Sequence, residues 1–429
     1  MKLRRLVALI LALGCFAIPG RTQEFTHFQR EQALQMLQDV AADVKEHYYD
    51  PTFHGVDWDA KVREAKERIE KTDSMNQSLT YIAATLDSLN DSHTFLFPPP
   101  RPYSHDYGFS MQMIGDRCYM VRVHPGSDAE AQGLKPGDEI TSVNGYKPTR
   151  DGFWKIEYIY NILQPQPSLR IDIRAPNGGV RQMNVAAKVT QRSRVRHLYD
   201  FKNEGEDRHH SLRVRYAEKG KELLIVKIPE FILSVSEVDA VIAKMRKYDN
   251  VILDLRGNPG GSEETLQYLM GGVFEKEVKI FERVTRNATK ELKSKLVHPA
   301  FTGKLVVLVD CDSSSASESF ARVIQIEKRG TVWGDRSSGR LMEAKEYVHT
   351  IGTSRVLAFA DSVTEAELKM SDGGSLEHIG VNPDSLVLPD PTDLATGRDP
   401  VISKAAEALD VKVTPEEAGT FFPFEWPKE

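Results

Sequence analysis

The sequence predicts a mixed α/β core preceded by a helical segment and a β-rich module. Three observations support this order. Apolar residues recur at helical spacing from Thr26 to about Leu89. Short strands broken by Gly and Pro dominate from Tyr103 to about Thr190. From Leu223 to about Val387, β-branched strands alternate with helical stretches, which is typical of an α/β sheet.

Length and charge limit the class of protein. At 429 residues the chain exceeds one ordinary core, so we expect two or three domains. The net charge of -6 argues against nucleic acid as the main partner. We predict six segments: a signal peptide (1–22), a helical domain (24–100), a β-rich domain (103–190), a connector (191–221), an α/β core (222–390), and a C-terminal helix and tail (391–429). The tail is expected to make one last short helix, from Asp399 to Leu409.

The first residues have the proportions of a secretory signal. MKLRR is followed by the apolar run LVALILALGCFAI, about thirteen residues long, which is too short to span a bilayer comfortably. We therefore expect export to the periplasm or the outside of the cell. Cys15 raises lipoprotein anchoring as an alternative, although Ala12–Cys15 is a poor lipobox. No later segment is apolar enough for a stable membrane span. Cys118 and Cys311 are too few for a disulfide framework or a zinc site, and we expect two buried thiols.

The helical segment contains three runs. The first places Ala33, Leu37, Val40 and neighbouring apolar residues on one face, and the second covers Trp58 to Ile69. The third, from Leu79 to Leu89, leads into Asn90-Asp91-Ser92-His93-Thr94. Three prolines, Pro98 to Pro100, then end the helical pattern of this segment.

The β-rich module contains a strong local pattern, VRVHPGSDAEAQGLKPGDEITSVNG, at Val121 to Gly145. It predicts a short helix ended by Gly133, a turn, and a strand that ends in an Asn-Gly hairpin. The pattern resembles the centre of a PDZ domain. That resemblance implies that Tyr107, Gly108, Phe109 and Ser110 receive a peptide carboxylate, with the peptide added as an extra strand. A β-rich insert without a ligand is the alternative.

The stretch LVVLVDCDSSSASESFARVIQ, Leu305 to Gln325, predicts a buried strand, four small polar residues and a helix. A hydroxyl residue at this position stands at the carboxyl edge of a sheet. The free N–H groups of the helix start face whatever it attacks. A nucleophile is one interpretation. A helix cap is the other, because Ser315 and Glu318 have the spacing of a capping box.

Three motifs resemble the C-terminal processing, or tail-specific, serine proteases: DLRGNPGG at Asp254 to Gly261, VVLVDCDSSSASE, and the string from Leu376 to Asp384. The resemblance implies a core with the mixed sheet of ClpP and crotonase, and no metal or organic cofactor. It implies an endopeptidase acting on unfolded polypeptides or exposed C-termini, with a homo-oligomer left open. It places the nucleophile at Ser315, and the oxyanion hole at Ala316 with Gly260 or Gly261.

One departure from this family concerns the general base. The family's lysine falls on Arg340, and arginine stays protonated, so it cannot take a proton from serine. A carboxylate-binding role, for the substrate C-terminus, is an alternative use of its guanidinium. The tricorn-like branch uses Ser, His and Glu, and its pattern falls on His93 and Glu377.

Other assignments remain open at this stage. Lys345 could serve as base through an irregular backbone, and His378 is a rival to His93. His209 and His210 lie in the connector and are expected to be solvated. A chain that has lost catalysis and acts as a peptide-binding scaffold is the alternative from a different functional class.

Overall fold

The computed structural model describes residues 25–191, 213–352, 356–424 and 426. The expected signal peptide, Cys15, and the histidines His209 and His210 lie outside the described residues. Within the described ranges, no helix has the length and apolar character needed to cross a bilayer.

The N-terminal segment forms three helices, His27–His47, Trp58–Lys71 and Met75–Asp87. Each begins at a polar residue whose side chain accepts a backbone N–H, respectively Thr26, Asp57 and Ser74. Their apolar faces form one buried cluster. Strand β1 (Phe95–Phe97) follows and leaves this unit to join a sheet of the core.

The β-rich module is built on a five-stranded antiparallel sheet. Its strands are β3 (Phe109–Ile114), β4 (Arg117–Val123), β5 (Glu139–Val143), β6 (Ser168–Arg174) and β7 (Val180–Ala186), in that spatial order. Strand β2 (Tyr103–Asp106) pairs separately with β8 (Lys188–Gln191). Helices Asp128–Ala131 and Phe153–Glu157, the latter continuing as a π-helix to Leu163, close the module. Strand β3 is therefore an edge strand.

The core contains a six-stranded sheet. Its members are β9 (Arg215–Lys219), β10 (Leu223–Lys227), β11 (Asn250–Asp254), β14 (Lys304–Val309), β15 (Thr331–Gly334) and β18 (Ser385–Leu386). The spatial order is β18-β15-β14-β11-β10-β9, and all pairs are parallel except that of β9 with β10. A second sheet joins β12 (Lys279–Val284), β13 (Thr289–Lys293), β16 (Met342–Ile351) and β17 (Leu357–Met370) to β1.

Both faces of the six-stranded sheet are covered, which explains why its strands are apolar throughout. On one face, Leu224 and Val226 belong to a cluster with helices Val235–Met245, Glu263–Gly271 and Ala316–Ile326. On the other, Leu223 and Ile225 pack with the tail. The predicted fold class, an α/β core with N-terminal helices and a β-rich insert, is confirmed.

The tail differs from the single helix expected over Asp399 to Leu409. It forms three short helices, Pro391–Thr396, Pro400–Glu407 and Pro415–Gly419. The central one is anchored by Arg256, which donates to Asp254 at the end of β11 and, through both terminal nitrogens, to Asp399 at 2.8 and 3.1 Å. Asp399 also caps the helix by accepting from Val401 N–H.

We predict that Asp399→Asn destabilises the chain by about 2 kcal/mol, because it removes one charge of a largely buried pair while keeping a capping oxygen. Asp399→Ala should cost about 1 kcal/mol more, since the cap is lost as well. Urea unfolding of both variants measures the difference. Equal stability of wild type and both variants would contradict the anchoring role of Arg256.

Candidate active site

Ser315 lies between β14 and helix Ala316–Ile326, with φ 55° and ψ -120°. An ordinary N-cap residue is extended, so this backbone is an outlier of the kind found at functional sites. Its N–H donates to the Arg340 carbonyl at 3.0 Å and to Glu318 Oε2 at 3.1 Å. The side chain is half-buried. The Glu318 contact is one half of the expected capping box, but the strained backbone favours more than a capping role.

The carboxylate of Glu318 is fully buried and accepts four hydrogen bonds. Oε1 accepts from Ser337 Oγ at 2.6 Å and Gly339 N–H at 2.8 Å, and Oε2 accepts from the N–H groups of Ser315 and Arg340. Burial raises the pKa of Glu318 to about 7, against the effect of the four donors. One side chain thus joins the nucleophile candidate to segment 337–340.

The glycine turn packs directly against Ser315. Gly260 has φ +99°, and a Cβ there would lie 2.6 Å from Ser315 Cβ and 2.9 Å from Ala316 N. Only glycine permits this approach. Ala316 is the first helical residue, so its N–H has no acceptor within the helix. The Gly260 N–H already donates to Asn258 Oδ1 at 2.8 Å, so this bond must be replaced if Gly260 is to bind an oxyanion. A Cβ on Gly261 would meet the Phe231 carbonyl oxygen at 2.5 Å.

His93 and Glu377 are connected through Ser92. Ser92 Oγ lies 2.8 Å from His93 Nδ1 and donates to Glu377 Oε2 at 3.0 Å. An ionised carboxylate only accepts, so the Ser92 proton points to Glu377 and the Ser92 oxygen accepts Nδ1–H. His93 Nε2 is then unprotonated, as a general base requires. From the sequence, Ser92 is predicted only as part of the Asp-Ser-His-Thr turn. The hydroxyl next to the histidine was the available signal.

Backbone and carboxylate contacts hold this line of side chains in place. Glu377 also accepts from Ser92 N–H and Leu341 N–H, each at 2.9 Å. Buried Asp91 accepts from His93 N–H at 2.8 Å and from Thr364 Oγ1 at 2.7 Å. Burial and the nearby Asp91 raise the pKa of Glu377. The turn that contains His93 is therefore held by Thr364 of strand β17 and by Glu377, which also accepts from Leu341.

Arg340 connects the histidine turn to Ser315. Its Nη2 donates to the Ser92 carbonyl at 3.0 Å, while its own carbonyl accepts from Ser315. The guanidinium carbon lies 5.1 Å from the centre of the Trp154 ring, and Nε is buried without a partner among the described residues. Burial and the Arg340 charge lower the pKa of His93 to about 4. At neutral pH, His93 is therefore uncharged.

The other candidate bases occupy different positions. Lys345 is exposed on β16, where its Nζ lies 5.0 Å from the centre of the Tyr347 ring. His378 is largely exposed; its Nε2 lies 3.6 Å from Glu377 Oε1 and 2.9 Å from the Asn90 carbonyl. Of the thiols, Cys118 is buried and Cys311 only half-buried, which corrects the expectation of two buried thiols.

A cavity of about 390 Å³ opens beside this site. All three folded units line it. The lining residues include Ser92 from the helical unit, Met113, Trp154 and Glu157 from the β-rich module, and Ser314 and Arg340 from the core.

The predicted peptide-binding loop turns at a glycine with a positive φ. Gly108 has φ +70°, and a Cβ there would lie 2.4 Å from Ser127 Cβ. Its N–H donates to Asp106 Oδ1 at 2.8 Å. The buried Tyr107 hydroxyl contacts the N–H and carbonyl of Gln166. Phe109 and Ser110 begin edge strand β3, which can accept a further strand.

Two contacts connect this module to the core beside Ser315. On β3, Gln112 Nε2 donates to Asp310 Oδ2 at 2.9 Å and to Asp312 Oδ2 at 2.8 Å, in the loop that leads to Ser315. On the other side, Arg150 forms a buried ion pair with Asp335. Edge strand β3 therefore contacts both its own sheet and the nucleophile loop.

Comparison with known proteins identifies the three units. The family model "Peptidase family S41" matches residues 222–387, a PDZ domain model matches 100–151, and a tricorn protease C1 domain model matches 29–74. Residues 222–387 form a peptidase family S41 domain. This is a family of serine-type peptidases, and the resemblance to C-terminal processing proteases is confirmed.

The curated relatives that this chain matches are distant in sequence. A carboxyl-terminal-processing protease of Synechocystis is 23% identical over 403 residues, covering 89% of this chain and 86% of the relative. The tail-specific protease of Haemophilus influenzae is 25% identical over 301 residues, 65% of this chain. The match spans 39% of the Haemophilus protein, and 62% of a chloroplastic carboxyl-terminal-processing peptidase from Arabidopsis thaliana.

Solved structures share the fold. Mature CPAF superposes with a TM-score of 0.65 at 15% identity, covering 89% of this chain and 96% of CPAF. The photosystem II D1 C-terminal processing protease gives 0.50 at 18% identity, covering 90% and 98%. At these identities the likeness concerns the fold alone and assigns no role to Ser315, His93 or Glu377.

We predict that His93 titrates with a pKa near 4 and that Arg340→Gln raises this value toward 6.5, because a nearby positive charge is removed. A histidine whose folded pKa is lowered stabilises the chain above pH 6.5. That contribution is lost as pH falls toward 4. Histidine-selective NMR measures the titration. Lys345→Gln, which removes an exposed positive charge, is the control. An unchanged pKa in Arg340→Gln would exclude the electrostatic contact.

Proposed function

We propose that this chain is an exported serine endopeptidase that cleaves unfolded or C-terminally exposed polypeptides. Ser315 is the nucleophile, His93 the general base and then acid, and Glu377 orients His93 through Ser92. The observation that carries the proposal is the double connection of Arg340. Its carbonyl holds the Ser315 amide, and its guanidinium holds the turn that contains His93.

The reaction proposed for these residues is acyl transfer in two half-reactions. Ser315 Oγ attacks the scissile carbonyl and forms the acyl bond while His93 Nε2 takes the hydroxyl proton. The same imidazole then gives the proton to the leaving amine. The developing oxyanion is stabilised by the Ala316 N–H, together with an amide of Gly260 or Gly261. Water attacks the acyl-enzyme in the second half-reaction, with His93 again as base.

Ser92 and Glu377 support the imidazole as it becomes charged. When His93 accepts a proton, the positive charge is stabilised by Glu377 through the polarised Ser92 hydroxyl. Ser92 is thus a positioning residue. No lysine is needed, and the exposed position of Lys345 favours this route over a Ser/Lys pair.

The PDZ domain is proposed to receive the substrate C-terminus on the loop at Gly108 and to add the peptide along β3. Two residues of this domain, Met113 and Trp154, line the cavity beside Ser314. A bound peptide therefore has a short path to the nucleophile. Arg340 is a second candidate for a carboxylate contact, since a guanidinium suits that ligand and Arg340 lines the same cavity.

The competing function is a peptide-binding scaffold without catalysis. A fluorophosphonate probe separates the two, because it labels only an activated serine. We expect labelling of wild type and none of Ser315→Ala. Peptidase activity should fall about 10⁴-fold in Ser315→Ala and in His93→Ala. Lys345→Ala, the matched control, should keep full activity.

Two results would overturn this proposal. Loss of activity in Lys345→Ala with retention in His93→Ala would assign the base to the lysine. Absence of labelling in folded wild type, with peptide binding intact, would favour the scaffold. Circular dichroism of each variant confirms that folding is preserved.

A further prediction concerns C-terminal recognition. Gly108→Ala should raise KM about tenfold for peptides with a free carboxylate, because the new Cβ meets Ser127 and distorts the loop. Peptides with an amidated end should be affected less. Gly178→Ala is the control, since Gly178 has a similar φ of +87° but open space around it. Equal effects of the two variants on both peptides would argue against recognition at Gly108.

A further inference from the structure

Away from Ser315, two carboxylates converge on one imidazole. His349 Nε2 lies 2.7 Å from Asp43 Oδ2 and 3.0 Å from Asp361 Oδ1. Asp43 belongs to the first helix, His349 to β16 and Asp361 to β17. Asp43 is distant in sequence from the other two residues, and no sequence motif singled out any of the three.

Hydrogen bonding alone does not satisfy this cluster. A single proton on Nε2 serves one carboxylate, and its geometry directs it to Asp361 Oδ1. The side chain of Asp361 is fully buried, and its Oδ2 has no hydrogen-bond partner among the described residues. Asp43 Oδ2 is also buried without one. Two carboxylates facing one imidazole thus leave unbalanced negative charge, which is costly away from water.

The donor set suits a cation. One ligand atom from each residue lies within 4.8 Å of the other two, a spacing that a small ion can bridge after slight movement. An imidazole nitrogen with two carboxylate oxygens matches Zn²⁺, which accepts three protein ligands and leaves a fourth position to water. A site with a nitrogen ligand selects such metals over Mg²⁺ and Ca²⁺, which prefer oxygen.

The surrounding structure holds the donors in place. The His349 ring stacks on Phe359, its ladder partner across the hairpin, with centroids 4.9 Å apart. Asp361 pairs with Tyr347 in the same ladder, so His349 and Asp361 are diagonal neighbours on one face.

We propose that Asp43, His349 and Asp361 bind one divalent cation of the Zn²⁺ type, which fastens the first helix to the β16–β17 hairpin. Neutral His349 and two ionised carboxylates give the site a charge that Zn²⁺ balances. The site is structural, because none of its members belongs to the Ser315–His93–Glu377 arrangement. A proton shared by Asp43 and Asp361 is the competing explanation.

The test uses the full chain after EDTA treatment and removal of the chelator. Calorimetric titration with ZnCl₂ should show one site in wild type, and the thermal midpoint should rise. Asp361→Asn and His349→Gln should weaken affinity about 100-fold. His27→Gln, an exposed histidine on the same helix, is the matched control and should bind as wild type does. MgCl₂ should leave the thermal midpoint unchanged.

Co²⁺ provides a second readout, since a visible absorption band reports ligation by His349 directly. Asp43→Asn replaces Asp361→Asn if the buried variant does not fold. Absence of Zn²⁺ binding in wild type overturns the proposal, as does equal binding by wild type, Asp361→Asn and His349→Gln. Stabilisation of metal-free protein by Asp361→Asn, without any Zn²⁺ response in wild type, would assign the cluster to the shared proton.

Discussion

The site depends on the hydrogen bonds that the buried carboxylate of Glu318 accepts. Taking a carboxylate out of water is costly, and the cost is offset only when every lone pair finds a donor. Here two oxygens accept four hydrogen bonds, three of them from backbone N–H groups. Those donors come from Ser315 and from segment 337–340. The conformation of one segment therefore sets that of the other.

This constraint extends into the helical unit. Segment 337–340 ends in Arg340, whose guanidinium binds the Ser92 carbonyl, and the next residue, Leu341, donates to Glu377. Glu377 in turn binds Ser92 twice. The proposed nucleophile, Ser315, comes from the core and the His93 imidazole from the N-terminal unit, so the proposed site is complete only when these units are docked. Asp91, bonded to Thr364 Oγ1, adds a fixed point on β17.

Local parts of this arrangement could be predicted from sequence. The strand, the small-residue loop and the helix around Ser315 follow from apolar periodicity. The close approach of Gly260 to Ser315 was expected only because the family resemblance placed a glycine turn at the oxyanion hole. The contact of Ser92 with Glu377 joins residues 285 positions apart, which no single-sequence pattern reports. The tail was predicted with one helix and has three, because short helices capped by Asp390, Asp399 and Thr414 carry little periodicity.

Arginine at position 340 excludes a lysine base at that position, and its charge also affects a histidine base at His93. Burial and the Arg340 charge both disfavour the imidazolium, so His93 is a weak base with a pKa near 4. General-base efficiency is greatest when the pKa lies near the working pH. An anionic group of a substrate placed against Arg340 would neutralise that charge and raise the pKa of His93 toward neutrality. Base strength would then depend on occupancy of the cavity that Arg340 lines, and an empty site would hold Ser315 beside an uncharged, weakly basic imidazole.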